Sequence, residues 1–153
     1  MNTRARNTRS RRRHSRAQAL VEFALVVPWF FLLLFGIIEA GRFIFYYETL
    51  SNATREDARY AIVNGANTIG CASGPPAPGT SACDPSGANV VARVRQSGIG
   101  LPNAITVVPT WTPDNGRGST VEVDAQMTYR VLIPLVPLPD ITVNAESTLV
   151  INN

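Results

Sequence analysis

Arg16-Ala17-Gln18-Ala19-Leu20-Val21-Glu22-Phe23 runs directly into Ala24-Leu25-Val26-Val27-Pro28-Trp29-Phe30-Phe31-Leu32-Leu33-Leu34-Phe35-Gly36-Ile37-Ile38. A basic tail ends here, and an apolar run of 22 residues, Ala17 to Ile38, begins with Glu22 as its single charge. As a helix rising ~1.5 Å per residue it covers roughly 33 Å, enough for a hydrocarbon core of about 30 Å. A carboxylate at mid-membrane costs about 2.5–3.5 kcal/mol, so Glu22 calls for a partner, although its place near one end lowers the cost. Were the chain to start at Gln18, Glu22 would lie in the first helical turn, where the helix dipole and a free α-amino group both favour a negative charge.

Charge is sorted along the 153 residues. Residues 1–17 hold seven arginines and no acid, whereas residues 18–153 hold seven arginines against eleven acids, a net of −4. The positive-inside rule keeps the arginine cluster in the cytoplasm and sends everything after Ile38 across the membrane. Arginine-rich tails also bind nucleic acid or anionic lipid, but no aromatic or folded element accompanies this one, and no nucleic-acid partner is expected. Arg11-Arg12-Arg13 is followed by His14-Ser15-Arg16 rather than by the apolar residues of a twin-arginine signal. A cleaved secretory signal is disfavoured because the apolar run exceeds an ordinary h-region and reads on as helix. Residues 1–17 are therefore a basic cytoplasmic leader, lacking apolar periodicity and expected to be disordered up to residue 16.

From Gln18 the helix is expected to reach residue 64, membrane-spanning over about 18–38. Glu39 and Arg42 mark the exit, and Phe43, Tyr46 and Tyr47 form an aromatic group suited to the interface. Beyond them Leu50, Ala53, Ala58, Ala61 and Ile62 recur at helical spacing, with Glu48, Arg55, Glu56, Asp57 and Arg59 on the remaining surface. Asn64-Gly65 supplies a stop. Pro28 removes a backbone donor within the apolar half, where a kink or a loosened turn is expected.

Residues 65–88 are rich in Gly, Pro, Ser and Ala and read as a loop bracketed by Cys71 and Cys83. Two cysteines twelve apart outside the membrane read as one disulfide, with free thiols the alternative. Residues 89–153 form the outer domain. Asn89–Gln96 reads as a short helix with Val90, Val91 and Val94 on its apolar face. Ala104–Trp111 is the first strand and Asp114–Gly118 the turn. In Thr120–Val131 polar and apolar residues alternate strictly, the mark of a strand with one buried and one wet face. Leu132 to Pro139 is an apolar, proline-punctuated connection, either a lid on the core or a partner surface, and Ile141–Ile151 is the third strand. The fold class is α+β: a long N-terminal helix packed on a small antiparallel sheet of about three strands with one short helix.

No catalytic constellation is present. The single histidine lies in the leader, no phosphate loop or HExxH occurs, and neither cysteine has a base partner in view. No enzyme activity, metal or cofactor is expected. Asn52-Ala53-Thr54 matches a glycosylation acceptor but falls within the expected helix, where chance is the better account.

The string QALVEFALVVP, with Gly36-Ile37-Ile38-Glu39-Ala40-Gly41-Arg42 after it, resembles the class III signal of type IV pilins, and more narrowly the TadE/TadG-like proteins of the Tad (Flp) pilus system. In that signal a prepilin peptidase cuts before the mature chain, leaving Glu at its fifth position. The resemblance places the cut between Ala17 and Gln18, with Glu22 fifth and Phe23 beside it; Ala17 stands where Gly is usual. It implies that Glu22 is selected by the peptidase and later pairs with a neighbouring subunit's α-amino group, and that Pro28 is a bend point in assembly. The implied function is a minor pilin or pseudopilin in assembly of a Tad pilus, inserted N-in/C-out. Its partners would be other pilus subunits, the peptidase and the lipid bilayer, at the cytoplasmic membrane or in an extracellular pilus. The alternative is an uncleaved single-pass protein whose outer domain is an adhesin or envelope scaffold.

Overall fold

The computed structural model describes residues 6–101, 105–132 and 139–152, with side chains from residue 17 onward. The first helix, α1, is Arg6–Val63 and continues through Pro28. It thus begins at Arg6 rather than at the expected Gln18, carrying helical backbone into the leader; arginine is a good helix former, and nothing between Arg6 and Ala17 breaks the pattern. Residues 1–5 lie outside the described residues. The chain divides into two units, one ending at Gly41 and the other comprising Arg42–Asn153.

From Ala19 to Ile38 α1 is apolar on all sides but for Glu22, and its large side chains there, Val27 apart, are exposed. Hydrophobic residues around the whole circumference with no protein cover suit a helix whose solvent is lipid. Among the described residues this is the one helix long and apolar enough to cross a membrane.

The second unit contains the rest of α1, the helix α2 (Ala88–Ser97), and strands β1 (Ile105–Thr112), β2 (Thr120–Tyr129) and β3 (Ile141–Val150). The sheet is an antiparallel meander in the order β1-β2-β3, with Val123 paired to Pro109 on one side and Ser147 on the other. Pro109 is tolerated because β1 is an edge strand, where one row of backbone donors needs no partner. The period-2 pattern of β2 resolves as expected: Val121, Val123, Ala125, Met127 and Tyr129 are buried, while Glu122, Gln126 and Thr128 face outward. Ala104 and residues 133–138 of the apolar connection lie outside the described residues, and Leu132 is exposed.

The core joins this sheet face to Leu50, Ala53, Ala58 and Ala61 of α1 and to Val90 and Val94 of α2. Alanines along the α1 stripe keep its backbone close to its neighbours. Two expectations are corrected here. Asp57 is not on the wet face of α1 but fully buried, since the core-facing stripe runs 50, 53, 54, 57, 58, 61 and takes Thr54 and Asp57 with it. Of the three interfacial aromatics, Phe43 and Tyr46 turn inward instead, their rings edge-on to Tyr129 at centroid distances of 5.4 and 5.7 Å. Both are half-buried against the core, where edge-to-face ring contacts hold them.

The loop between α1 and α2 is closed by the Cys71–Cys83 disulfide, with Cα atoms 5.4 Å apart. It is fastened to the β1–β2 turn by Asn115. The backbone N–H of Asn115 donates to Pro75 O and its carbonyl accepts from Ala66 N. Its side-chain Nδ2 donates to Ser73 O and its Oδ1 accepts from Ala77 N. Asp84 caps α2 from outside the helix, its two carboxylate oxygens accepting from Ala88 N and Asn89 N at 2.9 and 2.7 Å. That contact supplies the acceptor that Gly87, immediately before the helix, lacks. Gly74 and Gly87, both with positive φ, press against the Trp111 indole so closely that a Cβ on either would fall within 3 Å of the ring.

Candidate functional site

All residues singled out for processing and assembly lie on α1. Ala17, Gln18, Glu22, Phe23 and Pro28 are exposed, and the Ala17–Gln18 peptide is inside the helix rather than at its start. Gln18 and Glu22 are four residues apart and so share one helix face, with Cβ atoms roughly 5–6 Å apart. Within its turn Glu22 is flanked by Leu20, Val21, Phe23 and Leu25, all exposed. It is the single charged residue in the apolar stretch from Ala17 to Ile38.

The stretch of α1 within the second unit carries a different ionisable group. Asp57 accepts a 3.4 Å hydrogen bond from Ser97 Oγ and faces Arg93 Nε across 3.8 Å, so it ties α1 to α2. Arg93 in turn lies over the Tyr60 ring at 4.9 Å. Asp57 Oδ2 has no hydrogen-bond partner among the described residues. Burial pushes the Asp57 carboxyl up to about 6, against the opposing pull of Arg93 and the Ser97 hydroxyl. The signal in the sequence was position, since residue 57 falls on the Leu50–Ala61 stripe; polarity alone had put it outside.

What joins these two stretches is a single helix, apolar without cover before Gly41 and core-forming after it. Residues 17–59 match the family of TadE-like proteins. The match opens at Ala17 and takes in Glu22, Phe23, Pro28 and the buried stripe as far as Ala58. The TadE-like segment thus ends within α1, and α2 and the three strands lie beyond it. No curated protein and no solved structure matches the chain.

Proposed function

We propose that this chain is a minor pilin- or pseudopilin-like subunit in the assembly of a Tad pilus, held in the membrane by residues 18–38 with its arginine leader inside and its sheet outside. The observation that carries the reading is the TadE-like match beginning at Ala17, over a helix that is apolar, uncovered and marked by one carboxylate. TadE-like proteins are a pilus-associated, structural family, which favours a subunit over an enzyme. A prepilin peptidase cuts between Ala17 and Gln18; because that bond lies inside α1, the helix opens locally before scission. The new α-amino group of Gln18 then stands one turn from Glu22, and in an assembly the ammonium of one subunit neutralises the Glu22 of the next. The second unit is far larger than a chain consisting of the helix alone, which suits a subunit that primes or caps a filament.

N-terminal sequencing of protein extracted from membranes tests this directly. A chain beginning at Gln18 is expected. A chain that keeps Met1 through Arg16 makes it an uncut single-pass protein whose outer domain serves as an adhesin or scaffold.

A further inference from the structure

The end of the second unit at which the chain enters it from the apolar helix is itself apolar. Arg42 opens this unit, and covalent continuity places it four residues after Ile38. Ile44 and Phe45 on α1 are exposed there, while Phe43 and Tyr46 of the same turn pack inward on Tyr129. Two loops reach the same place. The α2–β1 loop arrives at Phe45, whose ring edge lies 3.5 Å from the Cβ position of Gly100; its neighbour Ile99 is 80% exposed. The β2–β3 connection leaves from Tyr129, over whose ring the Arg42 guanidinium sits at 5.6 Å, and brings out Leu132, 68% exposed. Ile141, paired with Tyr129 across β2 and β3, is exposed at the same end.

We infer that this end of the second unit is a lipid-contacting rim, with Ile99 and Leu132 entering the headgroup region of the leaflet from which α1 emerges. The inference rests on the membrane reading of residues 18–38. At ~1.5 Å per residue, Arg42 stands roughly 6 Å beyond Ile38, inside a headgroup layer of about 5–8 Å, and Phe45 roughly 10 Å, just past that layer, with its side chain leaning toward the helix N-terminus and so back into it. Covalent continuity along α1 thus holds the Arg42–Phe45 turn at the edge of the bilayer, within side-chain reach of its headgroups. The charged groups at this end, Arg42 and the exposed Arg130–Asp140 ion pair at 3.3 Å, have phosphate and choline- or ethanolamine-type groups to meet in that layer. A lipid surface fits better than a polar protein partner, because the exposed residues are isoleucine, leucine and phenylalanine and because the lipid is already adjacent. The outward sheet face carries two exposed valines, Val108 and Val150, but these stand among Thr106, Glu122, Asp124, Gln126, Asn144 and Glu146 and gather no apolar cluster.

Both native cysteines are paired in the disulfide, so a single introduced thiol can be spin-labelled selectively. Full-length protein carrying Ile99→Cys, Leu132→Cys, Leu32→Cys or Ile69→Cys would be reconstituted in phosphatidylethanolamine–phosphatidylglycerol vesicles, and label collisions with oxygen and with a water-soluble nickel chelate measured. Leu32 reports the apolar helix, and Ile69, exposed past the far end of α1, reports water. Labels at Ile99 and Leu132 are expected to lose nickel collisions relative to Ile69 while keeping oxygen collisions, as Leu32 does. If either is as accessible to nickel as Ile69 while Leu32 is not, the rim is overturned and the membrane segment stands. Low collisions with both reagents mean cover by a second protein copy and also overturn it. Nickel access at Leu32 removes the membrane reading and the rim together.

Discussion

Asp57 Oδ1 lies 3.8 Å from Arg93 Nε, the acid without solvent exposure and the base half exposed, so one partner of this pair is desolvated far more than the other. The Coulombic return is correspondingly modest, and burial dominates the acid's titration.

Stability should therefore fall with rising pH across a defined window. The Asp57 carboxyl binds its proton more tightly in the folded chain, at about 6 against 3.8 unfolded, so its favourable contribution is complete below about pH 4 and is lost by about pH 6. The loss is on the order of 3 kcal/mol. Urea unfolding in detergent at pH 4.0 to pH 7.0, a span of roughly those two limits, reads it as a falling midpoint. Asp57→Asn should flatten that fall; an unchanged slope in the variant would show that another group is responsible.

Asn115→Ala removes an amide that makes two of the hydrogen bonds fastening the Cys71–Cys83 loop to the β1–β2 turn. It leaves Ala77 N and Ser73 O without their partners, which costs about 2–4 kcal/mol. Asn115→Asp keeps one acceptor and should recover only part of that. Denaturant midpoints of the two variants check the order.

Glycines of similar backbone conformation should respond differently to alanine. Gly87 has φ 70° with the Trp111 ring 2.3 Å from its Cβ position, whereas Gly79 has φ 82° with nothing within 4 Å. Gly79→Ala should cost about 1–2 kcal/mol, the backbone penalty alone. Gly87→Ala must also displace the indole, adding about 1–3 kcal/mol of overpacking. Equal losses would mean that Trp111 moves aside freely, and Trp fluorescence would register that movement.

Glu22→Ala should leave membrane fractionation unchanged, since it removes a charge from an apolar helix. It should abolish incorporation of the protein into pili, which immunogold labelling of sheared filaments measures. Normal incorporation would separate Glu22 from any assembly role.

The apolar run and the alternation in β2 were legible because each is a one-dimensional signal: lipid length in one case, period 2 in the other. The short helix and both flanking strands fell within a residue of their expected places for the same reason. Asp57, Phe43 and Tyr46 differ from expectation because residue type is a poorer guide than position on the helix; Phe43 and Tyr46 meet Tyr129, more than eighty residues downstream, and Asp57 meets Ser97, 40 residues on. The roles of Asp84 and Asn115 depend on where a loop returns, which no local pattern encodes. The start of α1 at Arg6 reflects propagation of an existing helix into residues that do not oppose it.

The alanine stripe of α1 has a mechanical corollary. Leu50, Ala53, Ala58 and Ala61 lie along one helix that is unbroken from Arg6 to Val63. A pull along that axis loads these contacts together, in shear, rather than peeling them apart one after another. A subunit drawn out of a bilayer by its helix would thus carry its folded cargo with it.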